Sequence, residues 1–343
     1  MAINKICVEN FTVFDRIELD FCDGINVFIG ENGTGKTHLL KLLYSGGLMW
    51  SGRDCDAVAR VFESNMIIDF EVTQKTQYAE SVAESESAPT GFRFCGPYSF
   101  YNTTHPKYQE AQSKSEPIMP LVRIEPDDSY SSVFIPSKDM LTHSKGLLAM
   151  VKKYSKEMPF DKVLLDIIEK ASQWKVDVVP DIAKRIVQLI ENAIDGTVLF
   201  ENEMFYIFKQ NGDKVSFSLE AEGYKKLGLL WQLLMNESIN PNTVLLWDEP
   251  DANLNPGLIS IVVDILLELS RYGVQIFLAT HDYNLMKYFS VKKKDSDQVD
   301  FFSLYKTAHG VAYEREDDYS LLEHNSIVDA NIKLLEADIE RVL

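Results

Sequence analysis

The segment Gly30-Glu31-Asn32-Gly33-Thr34-Gly35-Lys36-Thr37 places glycine, lysine and a hydroxyl at the spacing G-x-x-x-x-G-K-[ST]. Glycines there let the backbone curl until several N–H groups point at one phosphate, a geometry that side chains with a Cβ obstruct. Lys36 then reaches the β- and γ-phosphates, and the Thr37 hydroxyl suits Mg²⁺. A second set follows the apolar run Val244-Leu245-Leu246-Trp247, which ends in the carboxylates Asp248 and Glu249. Asp248 suits the Mg²⁺ shell, and Glu249 suits a general base that orients water toward the γ-phosphate. A third apolar run, Gln275 to Ala279, ends in Thr280-His281-Asp282. A histidine there can donate a hydrogen bond to the γ-phosphate or to the attacking water. Each motif alone has a bland reading: a structural glycine turn, an acidic helix cap, a satisfied histidine at a strand end. Their occurrence together favours nucleotide chemistry.

These residues need elements that bring them to one place. Ile25-Asn26-Val27-Phe28-Ile29 reads as a buried strand entering the glycine-rich turn, and His38 to Tyr44 as a helix leaving it, with an end expected near Gly46-Gly47. Ile3, Ile6 and Val8, then Ile17, Leu19 and Phe21, alternate as strands. Short strands are expected over Met66–Val72, Gly91–Phe94 and Leu121–Ile124, in an antiparallel subdomain whose Ser81–Ser87 stretch reads as a loop. After a strand at Ser132–Ile135, helical periodicity covers Leu147–Lys156, Phe160–Ala171 and Pro180–Ala193. Asn211-Gly212 marks a hairpin between Met204–Lys209 and Val215–Leu219. Helices at Gly223–Met235 and Leu258–Leu269 lead into strands at Thr243–Trp247 and Gln275–Ala279, an alternation that implies a parallel sheet. Parallel strands present their C-terminal ends on one edge, so Asp248 should lie on a strand neighbouring the P-loop. From Ser326, Val328, Ile332, Leu335, Ile339 and Val342 recur at four-and-three spacing, with Ser326 and Asp329 as a capping box. This amphipathic helix is expected to pack on its own domain, because short helices gain stability mainly by docking.

With 343 residues, 45% of them hydrophobic, the chain can bury a substantial core. Its cysteines, Cys7, Cys22, Cys55 and Cys95, show no metal-knuckle or disulfide spacing, and no stretch approaches the roughly 20 apolar residues of a membrane span. A cytoplasmic protein without membrane contact is expected. A net charge of −18 repels a polyanion, so nucleic-acid contact is expected only locally. The candidate patches are Lys152, Lys153 and Lys156; Lys225 and Lys226; and Lys292 to Lys294.

With these residues assembled, the chain resembles the ABC-class P-loop ATPases of the RecF, SMC and OLD group, especially stand-alone bacterial ATPases of phage-defence loci. The resemblance rests on Ile6–Phe11 (ICVENF), the P-loop, the signature-like Ala221-Glu222-Gly223-Tyr224-Lys225-Lys226, Trp247–Pro256 (WDEPDANLNP) and Gln275–Asp282 (QIFLATHD). The long gap between Lys36 and Asp248 fits an inserted antiparallel subdomain and helical lobe, which a generic AAA+ module does not need. The resemblance implies an α/β P-loop fold of ABC type with a mainly parallel central sheet. It implies an ATPase part over 1–135, a helical lobe over 136–200, a second ATPase part over 201–320 and the amphipathic helix over 321–343.

It also implies an ATP sandwich, in which two copies meet head to tail and the signature turn of one covers the γ-phosphate on the P-loop of the other. The implied nucleotide contacts are Gly30, Asn32, Gly33, Thr34, Gly35, Lys36, Thr37 and His38 in one copy and Gly223 and Lys225 in the other. Thr37 and Asp248 are the implied Mg²⁺ ligands, and Glu249, Lys36 and His281 the catalytic set. Asn253, Leu254 and Asn255 resemble the D-loop. Two departures stand out: Ala221 occupies the usual serine position, with Ser218 nearby, and Ser137-Lys138-Asp139 substitutes by position alone for an absent Q-loop glutamine. Phe11 and Phe14 are candidates for stacking on adenine, although an aromatic near an N-terminal strand more often belongs to the core.

The reading is a Mg²⁺-dependent ATPase whose ATP-driven dimerisation controls a partner, in anti-phage defence. The alternatives are a slow-turnover, ATP-gated scaffold holding a separate nuclease or toxin effector, and a RecF-like ATPase of DNA repair. A transporter's nucleotide-binding subunit is disfavoured by the altered signature and the missing Q-loop.

Overall fold

The computed structural model describes residues 3–50, 61–62, 69–73, 91–95, 121–126, 130–154, 160–176, 181–308 and 310–342. The expected loop at Ser81–Ser87, Cys55 and Lys156 lie outside the described residues, as does the Met66–Ile68 part of the first short strand.

The central sheet has six strands: β3 (Ile25–Gly30), β7 (Ser131–Ile135), β11 (Thr243–Asp248), β12 (Gln275–Ala279), β13 (Val299–Thr307) and β14 (Gly310–Glu316). Their order is β14-β13-β3-β12-β11-β7, and all are parallel except β14, which pairs antiparallel with β13 at the edge. β3, β11 and β12 are buried along their whole length, which explains why they read as continuous apolar runs rather than alternating ones. Phe28, Leu246, Phe277 and Phe302 pack on one face with α1 (Lys36–Trp50) and the strands β1 (Ile3–Phe11) and β2 (Phe14–Asp20). Val27, Leu245, Trp247 and Leu278 pack on the other with α5 (Glu222–Met235) and α6 (Pro256–Arg271).

The N-terminal sheet is antiparallel, in the order β2-β1-β6-β5-β4, with β4 (Asp69–Thr73), β5 (Gly91–Cys95) and β6 (Leu121–Pro126). The helices α2 (Leu147–Tyr154), α3 (Lys162–Ala171) and α4 (Asp181–Ile194) follow β7. A small sheet then joins β8 (Gly196–Glu201), β9 (Met204–Lys209) and β10 (Lys214–Ser216), with Gly212 in the left-handed region at the turn. β10 is shorter than expected because Phe217–Leu219 closes into a 3₁₀ turn whose first residue is buried in the core. Among the described residues no helix is long and apolar enough to cross a membrane.

The structure corrects three expectations. α1 continues through Gly46-Gly47: a Cβ on Gly47 would lie 2.5 Å from the Ser132 hydroxyl, so this glycine marks helix-to-strand contact rather than a helix end. β12 intervenes between β3 and β11, so the Asp248 strand is one removed from the P-loop strand. The last helix, α8 (Ser326–Val342), follows α7 (Tyr283–Lys292) and the β13–β14 hairpin; Asn325 rather than Ser326 caps it, accepting from the Val328 amide at 3.2 Å.

The α8 stripe also leaves its own domain. Ile327 and Val328 touch the core, whereas Ile332, Leu335 and Ile339 are 48%, 62% and 60% exposed. The outer turns therefore contribute little to folding. Deleting residues 331–343 should shift the melting temperature by less than about 2 °C, whereas a helix docked on the domain would cost several kcal/mol and a larger shift. Differential scanning calorimetry reads the difference.

Candidate nucleotide-binding site

β3 delivers its chain to the sheet edge and there turns sharply. Gly30 and Gly35 have φ of 136° and 90°, and a Cβ on Gly35 would lie 2.4 Å from the Phe14 ring, so neither position accepts another residue without strain. The Thr34 hydroxyl donates to the Glu31 carbonyl at 2.9 Å, closing the loop before α1 begins at Lys36. The curled backbone and the helix N-terminus together form an anion site. The Lys36 ammonium donates to the carbonyls of Gly30 at 2.7 Å and Glu31 at 2.9 Å. Burial lowers its pKa, against the opposing pull of Asp248, Glu249 and Glu31.

β11 brings Asp248 to the same edge. The Thr37 hydroxyl lies 3.1 and 3.2 Å from the two Asp248 carboxylate oxygens, joining the two motifs across the intervening strand. Burial pushes the Asp248 carboxyl up to about 6, with Glu249 raising it further and the Thr37 hydrogen bond and Lys36 opposing. Among the described residues no group of three or more His, Cys, Asp or Glu forms a metal cage. One hydroxyl beside one carboxylate instead suits Mg²⁺, a hard ion that keeps waters and shares phosphate oxygens.

Glu249 leaves the strand with φ of 49°, a strained value for this residue type, while its amide still donates to the Ala279 carbonyl at 2.8 Å. Its half-exposed carboxylate lies 3.6 Å from Nδ1 of His281, which β12 positions at its own end. Behind them the Thr280 hydroxyl donates to Asp251 at 2.5 Å, and Asp282 caps α7 by accepting from the Leu285 amide at 2.7 Å. The three motifs are thus brought to one edge.

The signature-like segment makes a separate cluster. Gly223 begins α5 so close to the next loop that an added Cβ would lie 2.9 Å from both Leu254 and Leu258. Lys225 is buried and pairs with Glu222 at 2.7 Å and Asp139 at 3.8 Å. Asp139 also accepts from the Leu141 amide at 2.9 Å, so the segment Ser137-Lys138-Asp139 supplies a turn cap and an ion pair. Lys226, which the sequence left as a charge patch, donates to the carbonyls of Glu249 at 2.8 Å and Ala252 at 2.7 Å. It therefore fixes the loop that carries Glu249. A lysine one turn into an apolar helix was the available signal.

Phe11 and Phe14 are fully buried and belong to the core. His38 bonds through Nδ1 to the Thr12 hydroxyl at 3.0 Å and lies edge-on to Phe62, a residue that sequence reasoning passed over. Of the basic patches, Lys292 bonds Ser260 and Asp264, and Lys293 bonds the Asp317 carbonyl, so both are committed within the chain.

The Asp248 shift has a testable sign. The folded carboxyl holds its proton up to about pH 6 while the unfolded one releases it near 3.8, so folding takes up a proton between these values and stability falls as pH rises through that window. Without nucleotide or divalent ion, Asp248→Asn should therefore raise the melting temperature at pH 7.5 by a few degrees. The gain should shrink as pH drops from 6 toward 4, and a variant that melts lower at pH 7.5 would contradict the burial argument.

Residues 1–45 match the model of an "AAA ATPase domain", and residues 151–287 that of an "AAA domain, putative AbiEii toxin, Type IV TA system". The DNA replication and repair protein RecF of Proteus mirabilis (strain HI4320) is 22% identical over 216 residues, covering 54% of this chain and 57% of that protein. The RecF protein of Pasteurella multocida (strain Pm70) is 37% identical over 71 residues, 21% of this chain and 18% of that one. The chain thus spans little more than half the length of the first relative. An SMC head bound to the C-terminal winged-helix domain of ScpA is 15% identical with a TM-score of 0.47, over 92% of this chain and 97% of that one. The P-loop, the Asp248 strand and the His281 strand converge on one edge of a mainly parallel sheet, and the chain is similar to AAA-type ATPase domains over residues 1–45 and 151–287 and to RecF over about half of its length.

Proposed function

We propose that this chain binds Mg·ATP at the P-loop and hydrolyses it, and that ATP-driven pairing of two copies controls a protein partner. The Thr37–Asp248 contact, with Glu249 and His281 on the same edge, carries this reading. The P-loop amides and Lys36 hold the phosphates. Thr37 and Asp248 would hold Mg²⁺, which when bound neutralises developing charge on the phosphate oxygens. The Glu249 carboxylate accepts a hydrogen bond from the attacking water and orients it, and His281 donates to the γ-phosphate. The Gly223 end of α5 in a second copy would complete the site. Without the usual serine, Ala221 offers no hydroxyl there, which favours slow turnover.

The exposed α8 stripe supports a protein partner. Its flanks at Asp329, Glu336 and Asp338 are acidic, so a partner helix with lysine or arginine beside its own apolar seam fits better than a second copy of α8. A setting in bacterial anti-phage defence, with a nuclease or toxin as that partner, draws support from the toxin named in the family description. The RecF relatives favour a second reading, a repair-type ATPase that contacts DNA locally. Salt-dependent stimulation of turnover by DNA would establish the second reading over the first.

Steady-state turnover and sizing test the main reading. Glu249→Gln should lower kcat by a factor of about 10²–10⁴ while ATP binding persists, and the variant should accumulate as an ATP-dependent dimer. Unchanged turnover would remove Glu249 from its role. The double substitution Leu335→Asp with Ile339→Asp should leave that dimer intact, and loss of the dimer would instead assign α8 to self-association.

A further inference from the structure

β13 approaches the phosphate loop from the side opposite β12. It runs parallel to β3 with Leu304 opposite Gly30, and a Cβ on Gly30 would lie 2.2 Å from the Leu304 carbonyl oxygen. Beyond that pair β3 curls into the loop, while β13 continues straight to Thr307. Side chains alternate along the strand, and the two residues before Lys306 fix its direction. Leu304 lies in the core that holds α1, and Tyr305 faces the other way, stacked on His324 with ring centroids 4.1 Å apart. Lys306 therefore shares the face of α1 and the phosphate loop. Its ammonium lies 3.8 Å from the position a Gly33 Cβ would occupy, and no other described atom outside Gly33 and its chain neighbours comes within 4 Å of that point.

Three features set this lysine apart. It is exposed, and among the described residues no hydrogen bond or ion pair holds it, in contrast with Lys225, Lys226 and Lys292. The loop it faces curls through three glycines with positive φ, Gly30, Gly33 and Gly35, and the Lys306 ammonium is the one described side-chain atom beside the Cβ position of Gly33. The local field is acidic: Glu31, Asp248 and Glu249 all act on Lys36, the single cation of the motif. A polyphosphate entering this field meets several carboxylates, and a second ammonium on the open side offsets part of that repulsion.

We propose that Lys306 is a second cation of the phosphate site, reaching over Gly33 to the β-phosphate end of the bound nucleotide from the side opposite Lys36. The proposal rests on the nucleotide reading of the P-loop. Its test uses ADP, so that neither turnover nor pairing of copies intervenes, with affinity measured by isothermal titration calorimetry on the full chain. Lys306→Ala and Lys306→Gln should each weaken ADP binding about tenfold and flatten its dependence on salt, whereas Lys306→Arg should bind within about twofold of the unsubstituted chain. Because Lys306 is exposed, the variants should melt with the parent, which a thermal scan verifies. Equal affinity in Lys306→Ala and the parent overturns the proposal and leaves the nucleotide reading intact. A parent chain that binds no ADP overturns both.

Discussion

One hydrogen bond, from the Thr37 hydroxyl to the Asp248 carboxylate, ties together residues 211 positions apart. It exists because a parallel sheet delivers the C-terminal ends of β3 and β11 to one edge at matched heights. β12, which lies between them, must stay in register with both for the contact to survive. β3, β11 and β12 secure this by burial on both faces, since a slip of one residue would exchange the side chains of the α1 face with those of the α5–α6 face. Asp248 itself is held against its solvation preference, with its pKa raised by burial and only partly relieved by the hydroxyl. A carboxylate kept in that condition gains by acquiring a cation.

The parts of the site legible in the sequence are those whose chemistry is local in the chain. A glycine-rich turn between an apolar run and a helix, or two acids at the end of an apolar run, carry their meaning in adjacent residues. What depends on strand order was not legible. Nothing in Gln275–Ala279 says that it inserts between β3 and β11, because that follows from which crossover packs on which face. The β13–β14 hairpin, and Lys306 with it, went unread for the same reason, since its importance comes from lying beside β3. Gly46-Gly47 misled in the other direction. The pair reads as a helix end, but close approach to Ser132 in β7 overrides the low helix propensity of glycine.

α8 shows where a general rule gave way. Four-and-three spacing was read correctly, and the expectation of docking on the same domain followed from the marginal stability of short helices. The anchor consists of Ile327, Val328 and the Asn325 cap, and the remaining turns extend from it with their apolar stripe uncovered. The periodicity of a helix specifies that a stripe exists. It does not specify what covers it, and acidic flanks narrow the choice more than the stripe does.

The signature-like helix and the loop after β11 form one mechanical unit. Gly223 at the start of α5 packs on Leu254 and Leu258, and Lys226 one turn later holds the carbonyls of Glu249 and Ala252. Lys226 is buried, which lowers its pKa, and the acids Asp251, Glu249, Glu222 and Asp248 counter that effect, so the clamp is tied electrostatically to the site it supports. Glu249 therefore cannot shift without pulling on α5. The backbone strain at Glu249 and Asn253, both with positive φ, marks the loop between them as the place where such a movement would be absorbed. The loop after β11 is thus joined to the start of α5 by carbonyl–ammonium and leucine–glycine contacts alone.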